Sequence, residues 1–250
     1  MRILVLLIFM LLEYLLDRLK LRLIWWWMTG SGEPYVWHKN EVIVREAFEH
    51  MGPTFVKLGQ VIASSPGLFP KRYAEEFSKC LDQVPSFGVE EVQAIVEAEL
   101  GRPMGEVFAR VEREPLGSAS IAQVHGAVLK DGRQVVIKVQ RPGISEVVDA
   151  DLWWMARGAS ILELIFHGAR LANLTGVIED FSRTIHDELD FHKEASNQRE
   201  FNAIMKKHKI DDVRAPEPID ELITSRVLVM ERFYGFKIDD VRGIAAASID

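Results

Sequence analysis

The sequence predicts an α+β protein, and three observations carry that prediction. Apolar residues recur at helical spacing from Asn40 to Leu100. From about Glu106 the pattern changes to short β-branched runs separated by turn residues, with Asp131-Gly132 as a hairpin signal. After two long helical stretches, PEPIDELITSRVLVMERFYG returns to strand character around a turn at Thr224-Ser225. The order is helices, three antiparallel strands, helices and two strands, which predicts five short strands with helix packed on one face.

The chain opens with MRILVLLIFMLLEYLLDRLKLRLIWWW. Its apolar run from Ile3 to Leu12 is followed by Glu13, Asp17, Arg18, Lys20 and Arg22, with no small-residue cleavage site. A transmembrane helix needs about 20 clean apolar residues, and this run is interrupted too early. Trp25, Trp26 and Trp27 suit the headgroup region, so residues 1–30 are expected to form a membrane-associating segment lying in the surface. A core helix and a short single-pass span are the alternatives. A helical stretch follows over residues 31–105, with helices at Asn40–His50, from Pro53 through Lys57 and Gln60, at Lys71–Gln83, and from Ser86 or Gly88 to a stop at Gly101. Strands are expected up to about Pro115, over Ala122–Leu129 and over Gln134–Gln140, then helices over Ile144–Ala172 and Val177–Lys207.

Composition narrows the function. The 250 residues carry a net charge of −7 with both signs well mixed, and no Lys/Arg stripe marks a nucleic-acid binder. The single cysteine, Cys80, excludes an intrachain disulfide and CxxC chemistry, and reads as a small buried residue on a helix.

Chemistry concentrates in four places. In FVKLGQVIAS, Lys57 is a cation in an apolar helical run and needs water or a partner charge. Gln60 lies on the same face. In PLGSASIAQVH, the small residues Gly117, Ser118, Ala119 and Ser120 would let backbone N–H groups approach a phosphate. In VVIKVQ, Val136, Lys138 and Gln140 share a face, and Lys138 is either an edge gatekeeper or a buried functional cation. In HDELDFHKEASNQREF, read as one helix, Asp190 and Glu194 share a face and Glu188 points away. A solvated acidic face is the plain alternative, and two lysines in search of carboxylates argue against it.

Taken in this order, KLGQ, GSASIAQVH, VVIKVQRPG and ELDFHKEA resemble the UbiB/AarF atypical protein-kinase-like family over roughly residues 40–243. The resemblance implies a protein-kinase-like small lobe, residues 106–235, with a helical KxGQ extension before it, and residues 236–250 as the start of a large lobe. It implies that Lys138 holds the α/β-phosphates of ATP and that Glu194 pairs with that lysine. Residues Gly117–Ser120 match the alanine-rich loop, with Gly117 standing where the family often has alanine. Val136 lies beside the lysine, and Glu231-Arg232-Phe233 match the hinge whose backbone meets adenine. Lys57 and Gln60 match KxGQ, Glu188 and Asp190 match ExD, and either carboxylate is expected to receive the Lys57 charge in the nucleotide cleft.

An ion pair there would disfavour protein phosphorylation. By the same resemblance the function is the ATP-binding part of an atypical kinase or ATPase supporting isoprenoid-quinone (ubiquinone) biosynthesis. It would sit on the ATP-accessible, cytoplasmic side of a membrane. Partners would be ATP or ADP, membrane lipids or quinone intermediates, and quinone-biosynthesis proteins. The catalytic-loop Asp and Asn and the DFG-type Asp of a large lobe do not precede Asp250, so Mg²⁺ is expected only with that lobe. A non-catalytic membrane-bound scaffold is the competing expectation, suggested by Trp153-Trp154 and the apolar cluster at 161–166.

Overall fold

The computed structural model describes residues 40–236, apart from 66, 68 and 81–84, so the expected segments at 1–30 and beyond 236 lie outside the described residues. In chain order the elements are α1 (Asn40–Met51), α2 (Pro53–Ser64), α3 (Lys71–Phe77), α4 (Val89–Leu100) and α5 (Met104–Val107). Then come β1 (Phe108–Ser118), β2 (Ala122–Leu129), β3 (Gln134–Gln140), α6 (Ile144–Ile165), α7 (His167–Leu171), α8 (Leu174–Leu189), α9 (Phe191–Lys207), β4 (Pro218–Ile223) and β5 (Val227–Glu231). The described residues form two compact units: residues 40–86 with 118–122 and 141–189, and residues 87–117 with 123–140 and 190–236.

The second unit holds a five-stranded sheet in the order β1-β2-β3-β5-β4. Asp131-Gly132 makes the predicted hairpin: Gly132 takes φ +90°, and the Asp131 carboxylate accepts the Arg133 N–H at 3.0 Å. Strand β3 runs antiparallel to β5, with Val136 opposite Met230 and Lys138 opposite Leu228. On one face Val135, Ile137 and Val139 join Val227 and Val229 in a core closed by Val92 and Val96 of α4. The other face carries Lys138 and receives α9, whose Gln198 donates to the Met230 sulfur. Helices therefore cover both faces, not one. Val136 and Gln140 are buried along with Val135, so β3 needs cover on each side.

In the first unit α1, α2 and α3 pack together. Gly52 (φ +105°) turns the chain between α1 and α2, and Pro53 starts α2 in its first turn. Phe48 meets the ring of Phe55 edge-on at 5.7 Å and that of Phe77 at 4.8 Å. Glu76 is buried between Lys79 and Arg45, whose hydrogen bonds hold its carboxyl below the usual range. Cys80 is buried as expected, but just past α3 rather than on a helix, and burial pushes its thiol up to about 11. Helix α3 ends at Phe77, short of the predicted Gln83.

Helices α6 and α8 bury Ile144, Val148 and Leu152, and Phe181, Ile185 and Leu189, each set at four-residue spacing. Both long predicted helices are broken. Phe166 leaves helical geometry with ψ 115°, and Glu163 then caps the entry to α8 by accepting from the N–H and hydroxyl of Thr175. The second break, at Asp190, matters more. Its side chain accepts the His192 N–H at 3.0 Å, which makes it the N-cap of a new helix rather than a residue inside one.

Gly59 faces α3. A methyl group there would stand 2.7 Å from the Phe77 ring and 3.1 Å from the Cys80 sulfur, both in the interior. Gly59→Ala is therefore expected to destabilise the fold by about 1–3 kcal/mol, the usual cost of overpacking, as a lowered midpoint in denaturant unfolding.

Candidate functional site

Strand alternation puts Lys138 on the face that α9 covers, and its ammonium lies 2.6 Å from a Glu194 carboxylate oxygen. The same ammonium stands 5.0 Å from the centre of the Phe191 ring. Phe191 itself is anchored: its N–H donates to the Ser225 carbonyl in the β4–β5 turn, and its ring is fully buried. The start of α9 is thus tied to the sheet, which places Glu194 opposite the lysine. Lys138 and Glu194 are each partly exposed, so the pair keeps an open side. A cation fixed by one carboxylate yet open to solvent is suited to an anionic ligand.

The residues expected at a hinge, Glu231 to Phe233, are more committed to the sheet and to side-chain contacts than the sequence suggests. The Glu231 N–H donates to the Glu217 carbonyl at 2.9 Å, and the Arg232 N–H to Gln134 at 3.2 Å, so both amides belong to the sheet. The Glu231 carboxylate takes two bonds from Arg214, at 2.6 and 2.9 Å, which hold it below the usual carboxylate range. Arg214 also lies over the Phe233 ring at 4.5 Å.

Two features of this unit were not singled out in the sequence. Arg232 reaches Glu112 of β1 at 2.6 Å, and Gly126 of β2 lies under that pair: a Cβ there would overlap the guanidinium and the carboxylate. On the other face, Gln123 and His125 are fully buried. The Gln123 amide exchanges two bonds with the Phe87 backbone and donates to His125 Nε2 at 2.7 Å. His125 therefore carries its proton on Nδ1, which donates to the Glu112 carbonyl at 2.9 Å. Only the alternation of β2, which turns both side chains inward, signals this in the sequence.

In the first unit, Lys57 of α2 meets Glu188 in the last turn of α8 at 2.6 Å. Of the two carboxylates considered for Lys57, Glu188 is the one that pairs with it. Asp190 caps α9 and contacts the His192 ring instead. The single-helix reading that aligned Asp190 with Glu194 and turned Glu188 away fails because the helix stops between them. Gln60 is half-buried on α2. In the small-residue loop, Ser118 and Ala119 are held by Arg141, and Ser120 is fully buried. At Gly117 a Cβ would meet nothing within 4 Å, so the backbone there does not demand glycine. Among the described residues no group of three or more His, Cys, Asp or Glu is arranged to hold a metal ion.

Known proteins bear on this geometry. Residues 79–250 match the family model for the ABC1 atypical kinase-like domain. An uncharacterized chloroplastic aarF domain-containing protein kinase of Arabidopsis thaliana is 40% identical over 82% of this chain and 38% of its own length. A probable protein kinase UbiB of Azotobacter vinelandii is 35% identical over 90% of this chain and 43% of its own. The chain thus spans about two fifths of these relatives. Among solved structures, Rv3197 of Mycobacterium tuberculosis, in complex with erythromycin, is similar with a TM-score of 0.51 and 29% identity, over 71% of this chain and 44% of that one. The five-stranded antiparallel sheet with its helices is a kinase-like small lobe.

The two carboxylates before α9 should separate in a double-mutant cycle. Lys57→Ala with Glu188→Gln is expected to show a coupling of about 0.5–1 kcal/mol in urea unfolding, and Lys57→Ala with Asp190→Asn a coupling near zero.

Proposed function

This chain belongs to the ABC1 atypical kinase-like family, and on that premise we propose that it is the ATP-binding part of a UbiB-type atypical kinase or ATPase. The observation that carries the reading is the Lys138–Glu194 contact of 2.6 Å, a strand-three lysine held by a helix carboxylate on a kinase-like sheet. The ammonium would take the α/β-phosphates, with the carboxylate fixing its position. The small-residue loop, residues 117–120, would approach the phosphates through its backbone. Val136 would offer an apolar surface to the base, and the hinge contact would fall at Phe233, since the amides of Glu231 and Arg232 are used by the sheet. Mg²⁺ would arrive with the nucleotide, and no side chain described in this chain is assigned to it.

The helix carrying Lys57 gives the reading its second part. A lysine paired with Glu188 holds the KxGQ helix in a fixed place, and in our reading that helix restricts access for a protein hydroxyl while leaving hydrolysis or small-lipid chemistry open. Support of isoprenoid-quinone biosynthesis at a membrane follows the name of the UbiB relatives and is proposed on that ground. No helix among the described residues is long and apolar enough to cross a membrane. Membrane association is therefore proposed for residues 1–30, on their sequence alone.

One observation favours the second reading, a non-catalytic scaffold. Trp153, Trp154, Ile161, Leu164, Ile165 and Phe166 are all exposed along α6 and its end, Leu164 by 86%. Such a run is uncommon on a surface without a partner.

Binding of a fluorescent ATP analogue separates the two. Lys138→Ala is expected to weaken it by about 1.5–3 kcal/mol, roughly tenfold to a hundredfold, with the thermal transition retained. Unchanged affinity in a folded variant would favour the scaffold.

A further inference from the structure

Arg141 follows β3 directly, and its side chain turns back onto the small-residue loop. Its Nε donates to the Ala119 carbonyl at 2.9 Å and its Nη2 to the Ser118 hydroxyl at 2.7 Å. Its backbone N–H donates to the Ile121 carbonyl at 3.0 Å. The loop closes on itself through one more bond, from the Ala119 N–H to the Ala122 carbonyl at 2.8 Å. One residue thus makes three contacts to a loop that has almost no side chains of its own to hold it.

We propose that Arg141 is the positioning residue of this loop, holding it in the shape that receives nucleotide phosphates. This rests on the ATP-binding reading above. The physical reason is conformational. Gly117 and Ser118 end β1, whereas Ala119 and Ser120 lie between β1 and β2 with small side chains that restrict their backbone little, and ordering each such residue costs about 1–2 kcal/mol. A peptide unit is planar, so fixing the Ala119 carbonyl also fixes the direction of the next N–H. The guanidinium reaches a carbonyl and a hydroxyl at once because its donors form a rigid fork. A lysine ammonium supplies a point charge without that fork. The contact to Ser118 makes the loop hydroxyl an acceptor, which orients its hydrogen away from Arg141. The effect falls on the phosphates and not on the base.

The test uses the full chain, with ATP and adenosine as separate ligands and hydrogen exchange of residues 117–122 as a second readout. Arg141→Ala is expected to speed exchange in the loop and to weaken ATP about tenfold while leaving adenosine affinity unchanged. Arg141→Lys should recover part of the loss, and Ser118→Ala should reproduce a smaller part of it. These two milder variants carry the test if Arg141→Ala lowers the thermal transition. The proposal is overturned if loop exchange is unaltered, or if ATP and adenosine affinities fall together. Failure of the ATP reading looks different: wild type and Lys138→Ala would then bind ATP equally poorly, whatever Arg141 does to the loop.

Discussion

The contact between the Lys138 ammonium and the Glu194 carboxylate organises the sheet unit, because each partner is where it is for independent reasons. Strand alternation puts Lys138 on the face opposite the Val135, Ile137 and Val139 core, and no rotation of the strand can move it without burying a charge in that core. Glu194 stands three residues after Phe191, a fully buried ring whose N–H is bound to the β4–β5 turn. The Asp190 cap sets where that helix begins. Moving any of these would leave a cation on a mostly buried strand without its carboxylate, a loss of several kcal/mol if the site stayed closed to water. The partial exposure of the pair limits that cost.

A second constraint governs the helical unit, and it is steric. Gly59 lets α2 lie against the Phe77 ring, and Phe48 and Phe55 complete that contact. Lys57 and Gln60 sit on the same helix turned away from Gly59, so the signature divides its labour between packing and charge. The glycine fixes where the helix lies. The lysine then finds Glu188.

Much of this was legible in the residues, and the reasons for the exceptions are specific. The Asp131-Gly132 hairpin and the bounds of β2 and β3 follow from turn chemistry and alternation, and the structure has them as predicted. The lysine's face on β3 followed from period two alone. The readings of residues 144–172 and of residues 177–207 as single helices both failed, and the second had the greater consequence for the site. Helical periodicity continues across Asp190, and an aspartate inside a helix and an aspartate capping one look alike in a single sequence. That error aligned Asp190 with Glu194 and turned Glu188 away, and it left the Lys57 partner open between two carboxylates of which Glu188 is the one that pairs. The Arg141 contacts and the Glu112–Arg232 pair were not legible, because each joins residues that only the fold brings together, and of the Gln123–His125 network strand alternation signalled the shared face but not the bonds to the Phe87 and Glu112 backbone.

On the function proposed above, Lys138 is the nucleotide-phosphate contact, whereas Lys57 is a structural cation paired with Glu188 in the helical unit. Lysine-specific acylation with mass-spectrometric readout tests both residues in one sample. ATP is predicted to protect Lys138 from the reagent, adenosine to protect it far less, and Lys57 to keep the same reactivity with either ligand. Equal labelling of Lys138 with and without ATP would contradict the claim.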